Sequence, residues 1–336
     1  MKTMMKKEEG WKLLVADEIR LIENTIEDDL CQIEAEVDSQ LIAILRHILV
    51  DGGKKIRPLL VVLAARVCGN RDDEVYRLAA AFEYLHVATL IHDDVIDNAE
   101  FRRGKESVVQ KFGLIGAILA GDFLHAYSIN RVGAIAGSRG LEVFTGATCG
   151  MVDGEFVQLR NCNKFDLTEE RYYEAITGKT VRLISAACEI GAIFGGGSRD
   201  EYEKLKSYGE KLGAAFQIID DLLDYLGNSS MTGKGLGNDL IEGKITLPLI
   251  LSLKYMENGE EKEQFLKMLN DKDEIEKNFQ KIVELIEKNM GFSLSREKAE
   301  EMIEGAKQDI SFFEENSEEA VSVFSGLAEY VLERKK

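Results

Sequence analysis

Apolar residues recur at i, i+3, i+4 and i+7 along most of the chain, the spacing of one helix face, and few stretches alternate as strands do. The pattern predicts helices over about Trp11 to Ala35, Gln40 to Val50, Pro58 to Cys68 and Asp72 to Asp97. It continues over Leu114 to Ala136, Leu141 to Leu159, Thr168 to Phe194, Arg199 to Tyr225 and Gly243 to Met256, with several further segments up to Lys336. Breaks are expected at Asp51-Gly52-Gly53, Gly69-Asn70, Gly195-Gly196-Gly197 and Met231 to Gly237, where glycine and short polar residues favour turns. Pro58 suits the first turn of its helix, and Thr168-Glu169-Glu170-Arg171 offers a cap followed by acidic residues. The chain therefore reads as all-α: one large helical bundle, a single domain over residues 1–336, with its motifs between about 52 and 251. Residues 257–336 are charged and amphipathic and read as scaffold.

Of the 336 residues, 45% are apolar and 30% charged, enough for a sizeable core. The 42 basic and 60 acidic side chains give a net charge of −18, with no concentrated basic face, so nucleic acid is excluded as a partner. The best apolar run, Leu114 to Gly121, stops at Asp122, short of the ~18 residues of a membrane span. Met1 to Leu14 lacks the apolar core of a signal peptide. Five scattered cysteines without a Cys-x-x-Cys pair read as reduced thiols, and the expected location is cytoplasmic.

Two segments depart from amphipathic routine: His92-Asp93-Asp94-Val95-Ile96-Asp97 and Asp220-Asp221-Leu222-Leu223-Asp224. Each reads Asp-Asp-x-x-Asp at the end of a strongly apolar helix. Positions i and i+4 lie about 40° apart on a helix, so Asp93 shares a face with Asp97, and Asp220 with Asp224. Like charges at that spacing repel, which is unfavourable unless a cation sits between them. Mg²⁺ takes one or two carboxylates and fills its other positions with water and substrate phosphate. One such cluster is commonly a solvated helix end; two of the same form suggest opposed helices holding metal ions against a phosphate ester or diphosphate.

Fixed positive charge accompanies both clusters, in short glycine-marked pieces: Gly52-Gly53-Lys54-Lys55-Ile56-Arg57-Pro58, Arg102-Arg103-Gly104, Gly178-Lys179-Thr180, Lys234-Gly235-x-Gly237 and Gly243-Lys244. Each alone is an ordinary helix terminus, and none is a P-loop. Their order along the chain, alternating with the acidic clusters, is more informative. His86 lies seven residues before Asp93, within about 20° of it, and Gln217 precedes Asp220 by three. His86 reads equally as a core histidine or an anion contact.

On these residues the sequence resembles the trans-isoprenyl diphosphate synthases, the polyprenyl synthetase family, and within it the bacterial medium- and long-chain, octaprenyl-type enzymes. Further matches are Glu83-Tyr84-Leu85-His86, Gly121-Asp122, Gly154-Glu155, Phe216-Gln217 and Gly243-Lys244-Ile245-Thr246-Leu247-Pro248. The resemblance implies an isoprenoid-synthase bundle with a central apolar cavity, usually a homodimer. It implies head-to-tail condensation of an allylic diphosphate with isopentenyl diphosphate, releasing pyrophosphate. Asp93, Asp94, Asp97, Asp220, Asp221 and Asp224 would hold Mg²⁺ on the allylic diphosphate, which Arg102, Lys179 and Lys234 would also contact. Lys54, Arg57, His86 and Arg103 would bind isopentenyl diphosphate. Thr180 and Gln217 would lie beside the developing allylic cation, and Lys244 would support the second motif. Membrane contact is expected to be peripheral at most, for product release.

In this family aromatics four or five positions before the first aspartate shorten the product. Here Thr89 and Ala88 stand there, both small. Phe82, eleven residues before Asp93, would floor the shaft roughly 16 Å down, and the expected product is about C30 to C40. The alternatives are a short-chain synthase, a terpene cyclase of the same bundle class, or the non-catalytic subunit of a heteromeric synthase. A cyclase needs no second anion site, and a non-catalytic subunit would be expected to lose acidic residues that this chain keeps.

Overall fold

The computed structural model describes the backbone of residues 2–50, 53–102, 104–227, 236–315 and 317–334, and the side chains within these from residue 14 onward. Gly52, Arg103 and Lys234 lie outside the described residues. The described chain is almost wholly helical, as the periodicity predicts, and packs as two compact units interleaved in sequence.

The first unit spans 1–146, 184–206 and 310–326. It holds α1 (Lys2–Ile33), α2 (Ser39–Leu49), α3 (Ile56–Val67), α4 (Glu74–Ile96) and the first part of α5 (Val108–Asn161). Most of α7 (Arg182–Phe194), the start of α8 (Arg199–Leu226) and the start of α14 (Glu318–Glu333) complete it. Helices α3 and α4 are apolar almost all round, and a helix without a polar face is stable only when covered on every side. Both are accordingly buried along most of their length and pack on each other. Asp38 caps α2, its carboxylate accepting the Gln40 N–H at 2.8 Å.

The second unit spans 147–183, 207–309 and 327–336. It holds the end of α5, α6 (Glu169–Ile176), most of α8, α9 (Asn238–Ile241), α10 (Leu247–Tyr255), α11 (Glu260–Met268), α12 (Lys272–Lys288), α13 (Gly291–Ile310) and the end of α14. Thr168 caps α6 by accepting the Arg171 N–H, as its position predicts. In α12 Ile275, Ile282, Leu285 and Ile286 form the buried stripe, with charge on the remaining surface. Tyr225 anchors this core between Phe279 and Phe292.

Four local differences from the sequence expectation have physical causes. The helix expected over 168–194 is interrupted by a π-helical turn, Thr177–Val181. There Gly178 rests directly on Gly154 of α5: a Cβ on Gly178 would fall 2.6 Å from the Gly154 Cα, and one on Gly154 2.5 Å from the Lys179 N. Only two glycines permit that approach, and the widened turn it accommodates is a form common at functional sites. The helix expected from Gly243 begins at Leu247, because Gly243 is left-handed (φ 79°) and Pro248 belongs in a first turn. The helices expected at 114–136 and 141–159 run together as α5, with non-helical backbone at Gly113 and Gly137. A hairpin, β1 (Phe101–Arg102) with β2 (Lys105–Glu106), was unexpected, since two-residue strands leave no alternation to read.

Among the described residues α5 is the one helix long and apolar enough by composition to cross a membrane, although no uncharged run of that length was expected. Within the first unit it buries Ala117, Ala120, Leu124, Val132 and Phe144 in protein.

Candidate active site

Helix α4 ends in the first acidic cluster, with Asp97 as its C-cap. Consecutive helical residues are about 100° apart, so Asp94 is turned about 100° from Asp93 and about 60° from Asp97. Its carboxylate is buried, 1% exposed, and gripped by the Arg102 guanidinium through Nε at 2.8 and 2.9 Å and Nη2 at 2.7 Å. The hairpin is what returns Arg102 to this position. Asp93 is half-buried and Asp97 exposed. Against the same turn, Gly121 of α5 faces His92: a Cβ at 121 would lie 2.2 Å from the His92 Nε2. The Gly121-Asp122 pair thus lets α5 approach the cluster, with Asp122 3.7 Å from that nitrogen.

Upstream on α4, Phe82, His86, Thr89 and Asp93 follow at spacings of four, three and four, a single stripe. His86 and Thr89 are half-buried, and the Thr89 hydroxyl donates to the His86 carbonyl. Ala88 is buried, and Phe82 meets Phe144 of α5 edge to face, ring centroids 5.1 Å apart. At the entrance of α3, Lys54 is exposed, while Lys55 adopts a left-handed conformation and turns inward to Glu83 at 2.9 Å. Arg57 is half-buried, and its Nε is enclosed without an acceptor.

In the second unit Lys179, carried by the π turn, meets Glu155 at 2.6 Å and donates to Gln158 at 2.9 Å, both on α5. The next residue, Thr180, starts a chain of hydrogen bonds. Its hydroxyl donates to Gln217 Oε1 at 2.8 Å, Gln217 Nε2 donates to Asp221 at 2.9 Å, and the Tyr172 hydroxyl donates to the other Asp221 oxygen at 2.6 Å. Burial pushes the Asp221 carboxyl well above the usual carboxylate range, nearby Asp239 adds to the rise, and the Tyr172 and Gln217 bonds oppose it. Asp220 remains 45% exposed. Asp224 accepts the Asp239 N–H at 3.2 Å, tying α9 to the end of α8, and Lys244 meets Glu242 at 2.5 Å and Asp239 at 3.6 Å. Lys179, Thr180, Gln217, Asp220, Asp239 and Lys244 line one cavity of this unit.

Among the described residues no three acidic, histidine or cysteine side chains form a closed metal cage. The donors present are hard carboxylate oxygens, one or two per position. They suit a hard divalent cation that shares its shell with phosphate.

Tyr172 and Asp239 are not marked in the sequence, and Lys55, Glu83 and Glu155 stand inside matched motifs without an assigned role.

The polyprenyl synthetase family model matches residues 38–286. Octaprenyl diphosphate synthase of Escherichia coli is 42% identical over 219 residues, 65% of this chain and 68% of that protein. Geranylgeranyl diphosphate synthase of Saccharolobus solfataricus is 32% identical over 300 residues, 86% of this chain and 89% of that protein. Among solved structures, a polyprenyl synthase from Caulobacter crescentus in complex with calcium and isoprenyl diphosphate superposes with a TM-score of 0.88, at 32% identity and covering 98% of each chain. The chain belongs to the polyprenyl synthetase family and is a prenyltransferase with the isoprenoid-synthase helical fold.

Proposed function

We propose that this prenyltransferase condenses isopentenyl diphosphate head-to-tail with an allylic diphosphate, with Mg²⁺, to give an all-trans polyprenyl diphosphate of about C30 to C40, the length set by a floor eleven residues down α4. The observation that carries the reading is the second-unit cavity, where Asp220 at its exposed position shares walls with Lys179, Lys244 and the Thr180–Gln217 pair. Asp93 and Asp97 of the first unit, and Asp220 of the second, would each hold Mg²⁺ for the allylic diphosphate, with Asp224 and Asp221 behind Asp220, and Asp94 serves by fixing Arg102. When bound, Mg²⁺ would supply positive charge to the departing pyrophosphate. Lys179 and Arg102 contact the same diphosphate, and Lys234 is assigned there by its motif. Gln217, held at both ends, aims its carbonyl dipole where the allylic carbon loses its oxygen, and Thr180 fixes that aim. The C–O bond breaks with its electron pair leaving on pyrophosphate, the isopentenyl double bond attacks the allylic carbon to form the new C–C bond, and the released pyrophosphate takes the proton whose loss restores the alkene. Lys54, Arg57 and His86 take the isopentenyl diphosphate, together with Arg103 by motif; the enclosed Arg57 Nε supports an anion there.

The two substrate sites should separate kinetically. Lys54→Ala is expected to raise the KM for isopentenyl diphosphate by about tenfold and leave that of the allylic substrate within twofold, and Lys179→Ala to do the reverse, the scale of one charge-assisted bond. Equal effects on both substrates would count against the assignment.

Product length follows from the α4 stripe. With Phe82 and Phe144 buried in contact and Ala88 and Thr89 small, the shaft reading gives a floor below an open upper section. Incubation with Mg²⁺, labelled isopentenyl diphosphate and farnesyl diphosphate, followed by chromatography, should show the long product. Ala88→Phe should shorten it and Phe82→Ala lengthen it. The geranylgeranyl-type relative favours a second reading, a C20 enzyme, and a wild-type product stopping there would establish it.

A homodimer in the cytoplasm completes the proposal. Leu114, Ile115, Ile118 and Leu119 expose one apolar face of α5, with Ile115 73% exposed, and such faces mark subunit contacts. Ile115→Glu should convert a dimer to a monomer by light scattering, and an unchanged mass would rule that face out.

A further inference from the structure

Arg334, which follows α14, has no part in the assignments above. Its side chain is 10% exposed. The guanidinium carbon sits 4.2 Å from the centre of the Phe216 ring, and Nη2 is 3.4 Å from Asp220 Oδ1. Phe216 and Asp220 are one turn apart on α8, so ring and carboxylate share a face and hold the guanidinium between them. The other donors are the unusual feature: Nε and Nη1 are both buried and neither has an acceptor. Charged N–H groups kept from water and left unpaired carry a full desolvation penalty. A long contact to a half-exposed carboxylate does not offset it.

We propose that Arg334 is a diphosphate-binding residue of the second acidic site. A guanidinium presents parallel N–H donors in a planar fork that matches two phosphate oxygens, and Phe216 fixes the plane of that fork. Next to a bare carboxylate an anion would be repelled. The inference therefore rests on the reading of Asp220 as a metal anchor, since a cation there changes the sign of the local field. With diphosphate on that cation, Nε and Nη1 gain their acceptors while Nη2 keeps Asp220 oriented. The competing account makes Arg334 a clasp that only ties the end of the chain to α8.

Calorimetric titration of the Mg²⁺-saturated full-length enzyme with inorganic pyrophosphate separates the two. Arg334→Gln should weaken pyrophosphate binding about tenfold with its melting temperature unchanged, and Arg334→Lys should recover part of the loss, having charge without the fork. A raised KM for the allylic substrate or for isopentenyl diphosphate then shows which diphosphate the residue holds. Pyrophosphate affinity equal to wild type in Arg334→Gln overturns the proposal and leaves the clasp. Should Arg334→Gln melt early, Arg334→Lys carries the test, and unchanged affinity there overturns it equally. Asp220→Ala is the control on the underlying reading. If it binds pyrophosphate like wild type while Arg334→Gln does not, Arg334 binds the anion away from the acidic motif and the proposal as stated falls.

Discussion

Asp93→Ala and Asp220→Ala should each lower turnover by about 10²- to 10³-fold or more, because each removes an anchor for charge that stabilises the departing pyrophosphate. Neither change should cost the fold much. Asp93 is half-buried and Asp220 45% exposed with one contact of 3.4 Å to Arg334, so neither truncation empties a sealed site. Asp94→Ala should behave differently. That carboxylate is buried and accepts from two guanidinium nitrogens of Arg102, so its removal should cost about 1.5–3 kcal/mol of stability as well as activity. The three variants therefore give a rate-only signature at Asp93 and Asp220 and a mixed one at Asp94, read from steady-state turnover beside urea unfolding. Near-normal activity of Asp93→Ala or Asp220→Ala at limiting Mg²⁺ would show that the acidic motifs do not anchor the metal.

Much of this site was legible because its marks are local. The i, i+4 spacing fixes Asp93 with Asp97 on one face whatever the tertiary structure, whereas Asp94, about 100° from Asp93 but only about 60° from Asp97, is set apart by its Arg102 contact. Glycines flagged the close approaches: Gly121 under His92 and Gly154 under Gly178 are places where a side chain has no room. Helix periodicity located most elements, since a face must be covered to be stable. What remained hidden joins residues far apart in the chain. Tyr172 and Asp221 are 49 residues apart, Lys55 and Glu83 28, Arg334 and Asp220 114, and none leaves a periodic trace. The π turn was partly marked, since Thr177, Gly178, Thr180 and Val181 are weak helix formers. Its widened form follows from the Gly154 contact. Arg102 was expected on a diphosphate; the hairpin that turns it to Asp94 is too short for sequence to announce.

Glu83→Gln should destabilise the protein by about 3–5 kcal/mol, the cost of removing the carboxylate charge that faces the buried Lys55 ammonium. Both side chains are nearly sealed, 2% and 4% exposed, and 2.9 Å apart, so water cannot replace the lost carboxylate. The pair is not there because ion pairs stabilise interiors. Its attraction roughly balances the desolvation of two charges, and a well-packed apolar pair does as well or better. Lys55→Met combined with Glu83→Leu should accordingly recover most of the loss, so the two changes together are far milder than Glu83→Gln alone. The backbone adds to the sensitivity of this position. Lys55 is left-handed, with φ 46°, at the point where the chain enters α3, and a side-chain-bearing residue held there costs about 1–2 kcal/mol. Urea midpoints for Lys55→Met, Glu83→Leu and the double variant, compared at equal m-values, measure the coupling directly. A Glu83→Gln cost below about 1 kcal/mol, the range of a solvated surface pair, would mean that water reaches the ammonium and that the pair is not sealed.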